Sequence, residues 1–267
     1  MDETYTTAGD IAVLSHHEPA GPLGFLPVHA YLLKGKEPIL IETGLYTQTA
    51  GFLDALRAEI DPAELRWIAI THEDLDHAGN LEPLLEAAPR AGLVLSFLAM
   101  LKIGRMDLTT PERVVIATPG QPLTLGGRRF AVIRPPVFDS SATVGYYDEA
   151  TGSLFSADSF GGLVPAPATT ADVTDPAYLE GSSIFMSANS AWLHDVAPAR
   201  LAQSIAAVRA LRPGVVLPTH GAPLSGQTAA LCDHLEKLVA TEPFRFPDDA
   251  AFRVMLAQTK AEGGLAA

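Results

Sequence analysis

The chain has 267 residues, of which 48% are hydrophobic and 18% charged; this length and composition predict one domain spanning 1–267 with a substantial core, and exclude disorder. Thirty-one acidic against eighteen basic side chains give a net charge of −13, which argues against nucleic acid or an anionic membrane as the partner. No apolar run approaches the roughly 18–20 residues of a membrane span, the first residues show no secretory pattern, and the lone Cys232 cannot close an internal disulfide, so a cytoplasmic location is expected.

Short apolar runs at Ile11–Ser15, Val28–Leu33 and Pro38–Glu42 predict strands. Thr47–Glu59 carries Ala50, Leu53 and Leu56 at helical spacing. Trp67–Thr71 predicts a buried strand ending in a polar cluster, and Asn80 is positioned to cap a helix bearing Leu81, Leu84 and Leu85. Gly92–Ser96 predicts another strand. Further on, Arg129–Arg134 and Thr143–Tyr147 read as strands, and a turn at 148–152 leads into a strand at Ser153–Ala157. Leu201, Ile205, Val208 and Leu211 mark a helix over Ala197–Leu211, with Asp195 as its expected N-cap. Val215–Leu217 is a short strand, and Leu231, Leu235 and Leu238 mark a helix that holds Cys232 as a small core residue. Phe246-Pro247-Asp248-Asp249 starts a further helix in a tail, 244–267, that could pack on a second copy in a homodimer. The pattern predicts two sheets covered by helices.

The chemistry concentrates in Thr71-His72-Glu73-Asp74-Leu75-Asp76-His77-Ala78-Gly79-Asn80. Imidazoles and carboxylates packed this densely, just past a strand end, suit zinc, iron or manganese. The segment resembles the THxHxDHxG signature of the metallo-β-lactamase superfamily. Three more pieces, in the same order along the chain, carry the resemblance: Glu42-Thr43-Gly44, Leu154-Phe155-Ser156-Ala157-Asp158-Ser159-Phe160-Gly161, and Leu217-Pro218-Thr219-His220-Gly221. The resemblance implies a four-layer αββα sandwich with a metal site at one edge.

Two departures point within that superfamily. A carboxylate, Asp74, stands where the hydrolases have histidine, which resembles the diiron branch of flavodiiron and oxygen-binding proteins. No histidine occurs between His77 and His194, although both branches place a ligand there; Asp139, in Arg134-Pro135-Pro136-Val137-Phe138-Asp139-Ser140, is a candidate replacement. By this analogy Asp76, His77, His220 and a bridging Asp158 would form one metal seat. His72, Asp74 and Asp158 would begin the other. Glu73, between ligand positions, is expected to point away from the metals. His194 is expected to cap or lie on the surface, and His16, His17, His29 and His234 to be structural or exposed. Tyr146 and Tyr147 are expected as sheet residues, and 161–174 as pocket lining.

Two functions follow from the resemblance. The first is a non-haem iron protein, with two irons or one, that binds or reduces dioxygen or another small oxidant; since 267 residues leave no room for the flavodoxin domain of flavodiiron proteins, it is expected to need an external electron donor, to act as an oxygen sensor, or to use a reducing substrate itself. The second is a metal-dependent hydrolase of an ester, lactone, thioester or phosphoester, disfavoured because anionic ligands lower the metal's effect on bound water; zinc or manganese are the alternative metals to iron, and zinc would favour hydrolysis. A structural metal without catalysis is a third.

Overall fold

In the computed structural model, residues 1–103 and 111–261 are described. The strands, in chain order, are β1 (Tyr5–Thr7), β2 (Ile11–Leu14), β3 (His17–Pro19), β4 (Phe25–Pro27), β5 (Ala30–Leu33), β6 (Ile39–Ile41), β7 (Trp67–Ala69), β8 (Gly92–Leu95), β9 (Val114–Ile116), β10 (Pro122–Leu125), β11 (Arg128–Ile133), β12 (Gly145–Asp148), β13 (Ser153–Phe155), β14 (Val215–Leu217) and β15 (Leu224–Ser225). The helices are α1 (Thr49–Glu59), α2 (Leu81–Ala87), α3 (Phe97–Ile103), α4 (Pro176–Asn189), α5 (Pro198–Leu211), α6 (Thr228–Leu238) and α7 (Asp249–Ala261). The final residues of the predicted tail, 262–267, lie outside the described residues.

Two sheets result. One has the order β1-β2-β5-β6-β7-β8-β9, the other β10-β11-β12-β13-β14-β15, and β3-β4 form a separate hairpin. The central strands of each sheet are buried on both faces, which explains why they read as continuous apolar runs. Along β2, Ala12 and Leu14 pack outward with Phe52, Leu56, Leu81 and Leu84 of α1 and α2. Ile11 and Val13 point the other way, into a layer shared with Phe130, Val132, Tyr146, Phe155 and Leu217 of the second sheet. A third cluster places Leu154 and Val216 of that sheet against Phe185, Leu201, Ile205, Leu231 and Leu235 of α4, α5 and α6. The period-two alternation of the strands thus builds the predicted αββα order. Cys232 is buried in that third cluster.

Several local expectations change. Asn80 makes no side-chain cap on α2; it donates from Nδ2 to the carbonyls of Thr43 (2.6 Å) and Leu45 (3.2 Å) and accepts from Thr49 Oγ1. Asp195 is not the cap of α5 either, because Ala197 occupies that position and Pro198 opens the helix. The expected strand from Val28 starts at Ala30, since Val28 and His29 bond to His16 and Thr219 instead of to the sheet. Helices α3 and α4 had not been anticipated.

Candidate metal centre

Two parallel strand pairs, β6 with β7 and β13 with β14, end at one edge of the sandwich. Each delivers residues just beyond its C-terminal end, where open α/β sheets place ligands. Glu42 follows β6, Thr71 and His72 follow β7, Asp158 follows β13 and His220 follows β14. The ends stay in register because Ser156 N donates to Leu217 O and Thr219 N to Ala157 O. The two sheets are tied here by Tyr146 Oη on Ile70 O (2.8 Å) and Tyr31 Oη on Pro218 O (2.6 Å).

The signature loop is compact because its backbone folds on itself. His77 N and Ala78 N both donate to Asp74 O. Thr43 clasps the loop: its N and Oγ1 donate to His77 O at 2.7 and 3.0 Å. Gly79 is required by close approach, since a Cβ there would lie 2.1 Å from Leu75 O and 2.5 Å from Tyr46 N. Glu42 turns out of its strand with φ 68°, and Ala157 does the same before Asp158 with φ 53°; non-glycine residues adopt this left-handed conformation at a cost of about 1–2 kcal/mol, and both sit beside the cluster.

The structure brings all seven predicted ligand positions together in three overlapping groups, His72–His77–Asp158, Asp76–His77–His220 and His72–Asp74–Asp139, with the donor atoms of each within 4.8 Å of one another. Asp158 joins them. Its Oδ1 lies 3.1 Å from His77 Nε2 and 3.4 Å from His220 Nε2, and its Oδ2 lies 3.7 Å from His72 Nε2. Asp76 stands 3.4 Å from His220 Nε2 and 3.8 Å from His77 Nε2. Asp139 Oδ1 is 3.5 Å, and Asp74 Oδ2 3.8 Å, from His72 Nε2.

Every imidazole turns Nε2 inward because Nδ1 has a partner behind it. His220 Nδ1 bonds Pro27 O at 2.7 Å, His72 Nδ1 bonds Thr71 Oγ1 at 3.0 Å, and His77 Nδ1 lies 3.3 Å from both Glu42 Oε1 and Thr71 Oγ1. This is how metal-ligating histidines are oriented and their tautomers set. His72 Nε2 and Asp158 Oδ1 are buried without a hydrogen-bond partner; such orphaned atoms cost about 1–3 kcal/mol each, and a divalent cation between them would satisfy both.

The protonation pattern agrees. Burial raises the carboxyl pKa of Asp158, yet His77, His220 and His72 outweigh burial and hold it well below the usual range. Burial lowers His77, but Glu42, Asp76 and Asp158 carry it well above an ordinary histidine. His220 is likewise raised against burial by Asp158 and Asp76. His72 is lowered, by burial and then by His77. Asp139 is raised by burial and by Asp158, and Asp74 by burial and by Asp139, against the pull of His72. Imidazolium–carboxylate pairs on one side and crowded carboxylates on the other are protons held where a metal would displace them.

Other predicted residues lie around this centre. Glu73 points away, to Lys102 Nζ and Ser140 Oγ, so it fastens the Asp139 segment to the signature loop. His194 bonds Ser187 Oγ at 2.8 Å and contributes neither a cap nor a ligand. His16 pairs with Glu18 and His17 with Asp2. His29 is wholly buried, and burial together with the neighbouring imidazoles of His17, His220 and His16 takes it down to about 3. Leu163, Val164 and Pro165 line a cleft of about 570 Å³ with Phe25 and Ile184. Sequence reasoning missed what α4 brings: the Phe185 ring 4.9 Å from that of His220, and Asn189 Nδ2 donating to Asp158 Oδ2 at 3.2 Å. It also missed Trp192, whose Nε1 holds Phe138 O at 2.6 Å beside Asp139.

The family pattern of the Metallo-beta-lactamase superfamily matches residues 23–220, and the chain belongs to that superfamily. Within it, the domain is homologous to the metallo-β-lactamase domain of flavodiiron proteins. It is 27% identical over 135 residues to a putative diflavin flavoprotein A 2 of Nostoc sp., covering 50% of this chain and 23% of the relative. It is 28% identical over 134 residues to an anaerobic nitric oxide reductase flavorubredoxin of Salmonella arizonae, covering 50% and 28%. The chain thus matches well under half the length of these relatives. In fold it resembles a flavo di-iron protein variant from Thermotoga maritima (TM-score 0.76, 18% identity, 98% of this chain and 71% of the other). It also resembles rubredoxin oxygen:oxidoreductase from Desulfovibrio gigas (TM-score 0.76, 18% identity, 89% and 61%). Among the described residues, no helix is long and apolar enough to cross a membrane.

Proposed function

We propose that the cluster is a carboxylate-rich non-haem iron centre that binds or reduces dioxygen or a related small oxidant such as nitric oxide. The carrying observation is the seat of Asp139. Its Oδ1 stands 3.5 Å from His72 Nε2, grouped with Asp74, so a carboxylate takes the place of the histidine that the sequence lacks. Asp76, His77 and His220 would hold one ion, His72, Asp74 and Asp139 the other, with Asp158 shared. Oxygen-rich donor sets favour iron or manganese over zinc.

Iron held by these seven residues would supply redox chemistry toward a diatomic ligand. The chain's own residues do the rest. Thr71, Glu42 and Pro27 O hold the three imidazoles with Nε2 facing the centre, and the fixed carboxylates neutralise the ions' charge. The names of the Salmonella and Desulfovibrio relatives, a nitric oxide reductase and an oxygen oxidoreductase, support this reading. Turnover would require a supply of electrons to the centre.

The test is elemental analysis of protein purified without chelators, paired with oxygen and nitric oxide consumption under reduced flavin. The expected result is about two irons per chain, with consumption abolished in Asp158→Ala. Zinc without iron, together with turnover of an ester or lactone, would replace the reading with metal-dependent hydrolysis. An intact fold that takes up no metal would overturn it.

A further inference from the structure

We infer that Asn189 is a positioning residue for the shared carboxylate, and that it makes the two metal seats unequal. The inference rests on the metal-centre reading above. Asp158 is only 2% exposed, and its two oxygens have different surroundings. Oδ1 faces His77 and His220 and makes no hydrogen bond. Oδ2 faces His72 and accepts from Asn189 Nδ2 at 3.2 Å.

A side-chain amide does not titrate, so this N–H stays on Oδ2 at every working pH. It occupies one acceptor position and fixes the rotation of the carboxylate. Oδ1 keeps its full acceptor capacity for the Asp76–His77–His220 seat. Oδ2 is left one fixed direction, toward His72. Helix α4 has the register to do this: Asn189 and Phe185 are four residues apart and share a helix face, and Phe185 packs on the ring of His220. One helix face therefore touches both the bridging carboxylate and a histidine of the buried seat.

Without Asn189 the carboxylate is free to turn. The His72–Asp74–Asp139 seat depends most on its aim, because it has one imidazole and its Asp74 side chain is 46% exposed. The Asp76–His77–His220 seat has two buried imidazoles held from behind and depends on it less.

The experiment titrates metal-stripped full chain with cobalt(II), followed by visible absorption and by bound-metal analysis, in wild type, Asn189→Leu and Met186→Ala. Leucine keeps the branching and heavy-atom count of Asn189 and removes the donor. Met186 is buried in the α4 core cluster and offers no metal-ligating atom of its own in the candidate groups, so its truncation loosens the helix as a control. Expected are two cobalt ions in wild type, with the weaker one bound about 10–100-fold more weakly in Asn189→Leu and the tighter one changed by less than about threefold. Met186→Ala is expected to lower the melting temperature and leave the ratio of the two affinities unchanged. The inference is overturned if Asn189→Leu leaves both affinities as in wild type, or lowers both in proportion as Met186→Ala does. Wild type that takes up a single ion overturns it while leaving a mononuclear centre standing. Wild type that takes up none overturns the metal reading itself, and this inference with it.

Discussion

The two seats around Asp158 are built differently. His220 sits just past the end of β14, Asp76 and His77 lie in the signature loop clasped by Thr43, and both imidazoles are almost fully buried. Their Nδ1 atoms lean on Glu42 and on a backbone carbonyl, which are fixed by the sheets. His72, Asp74 and Asp139 combine one buried imidazole with two carboxylates on loops. That second seat is held by side chains: Glu73 with Lys102 and Ser140, and Trp192 on Phe138 O. A seat with two buried imidazoles held from behind is pre-formed by the fold, whereas a seat with one imidazole and two partly exposed carboxylates depends on its fasteners. Residues of the first kind should govern stability, and those of the second kind metal number.

The largest expected effect tests the shared consequence. Stripping the metal with a chelator should lower the melting temperature by about 10 °C, as expected for loss of a ligand present at roughly 1,000 times its dissociation constant; equal melting of stripped and loaded protein in a scanning calorimeter would contradict a seat that the fold pre-forms. Next, Asp139→Ala should reduce bound metal from two ions toward one, through a loss of about 100-fold in the weaker affinity. Its melting temperature when metal-free should barely move, because the residue lies on a loop. If Asp139→Ala still bound two ions as tightly as wild type, the distinction between the seats would fail.

Glu42→Gln should act on the other seat. It removes the carboxylate 3.3 Å behind His77, and metal competition with a fluorescent chelator should report a loss of about tenfold in the tighter affinity. An unchanged tight site would show that Thr71 alone suffices to orient His77.

The most gradual effect, spread over several pH units, concerns His29, whose backbone N bonds Thr219 O next to His220. Buried among neighbouring imidazoles, it has a folded pKa of about 3 against about 6.5 unfolded. Below pH 6.5 the unfolded chain therefore binds a proton that the folded protein refuses. Stability should fall with falling pH across the window from 6.5 to 3, by at most about 1.4 kcal/mol per pH unit from this residue. Urea midpoints at several pH values should show a shallower decline in His29→Phe than in wild type; parallel curves would assign the acid sensitivity elsewhere.

Much of this was legible because it is local. Alternation is invisible in strands buried on both faces, yet continuous apolar runs between turn residues located β2, β6, β7, β8, β13 and β14. The signature loop declared itself by density: two histidines and three acids within six residues have few uses other than metal. Helix α4 was hidden although Asp175-Pro176 is a good start, with Asp175 accepting from Ala177 N. Its interior, Glu180-Gly181-Ser182-Ser183, has poor helix propensity. Gly181 is there because a Cβ would lie 2.0 Å from Leu163 O, a packing demand that propensity does not contain. With α4 unseen, Phe185 and Asn189 had no route to the site. Asn80 does stand at the N-cap position of α2, but tertiary partners took its side chain, and the start of α5 at Pro198 left Asp195 outside the cap position.

The sequence by itself determined the superfamily, the layer order and seven candidate ligand positions, because apolar runs between turn residues and the separate motif pieces are each written in consecutive residues. Only the tertiary structure decided that Asp139 stands beside His72, that Glu42 stands behind His77, and that Asn189 reaches Asp158. Those contacts join residues 67, 35 and 31 positions apart, and such distances close only when both sheets and their covering helices have packed.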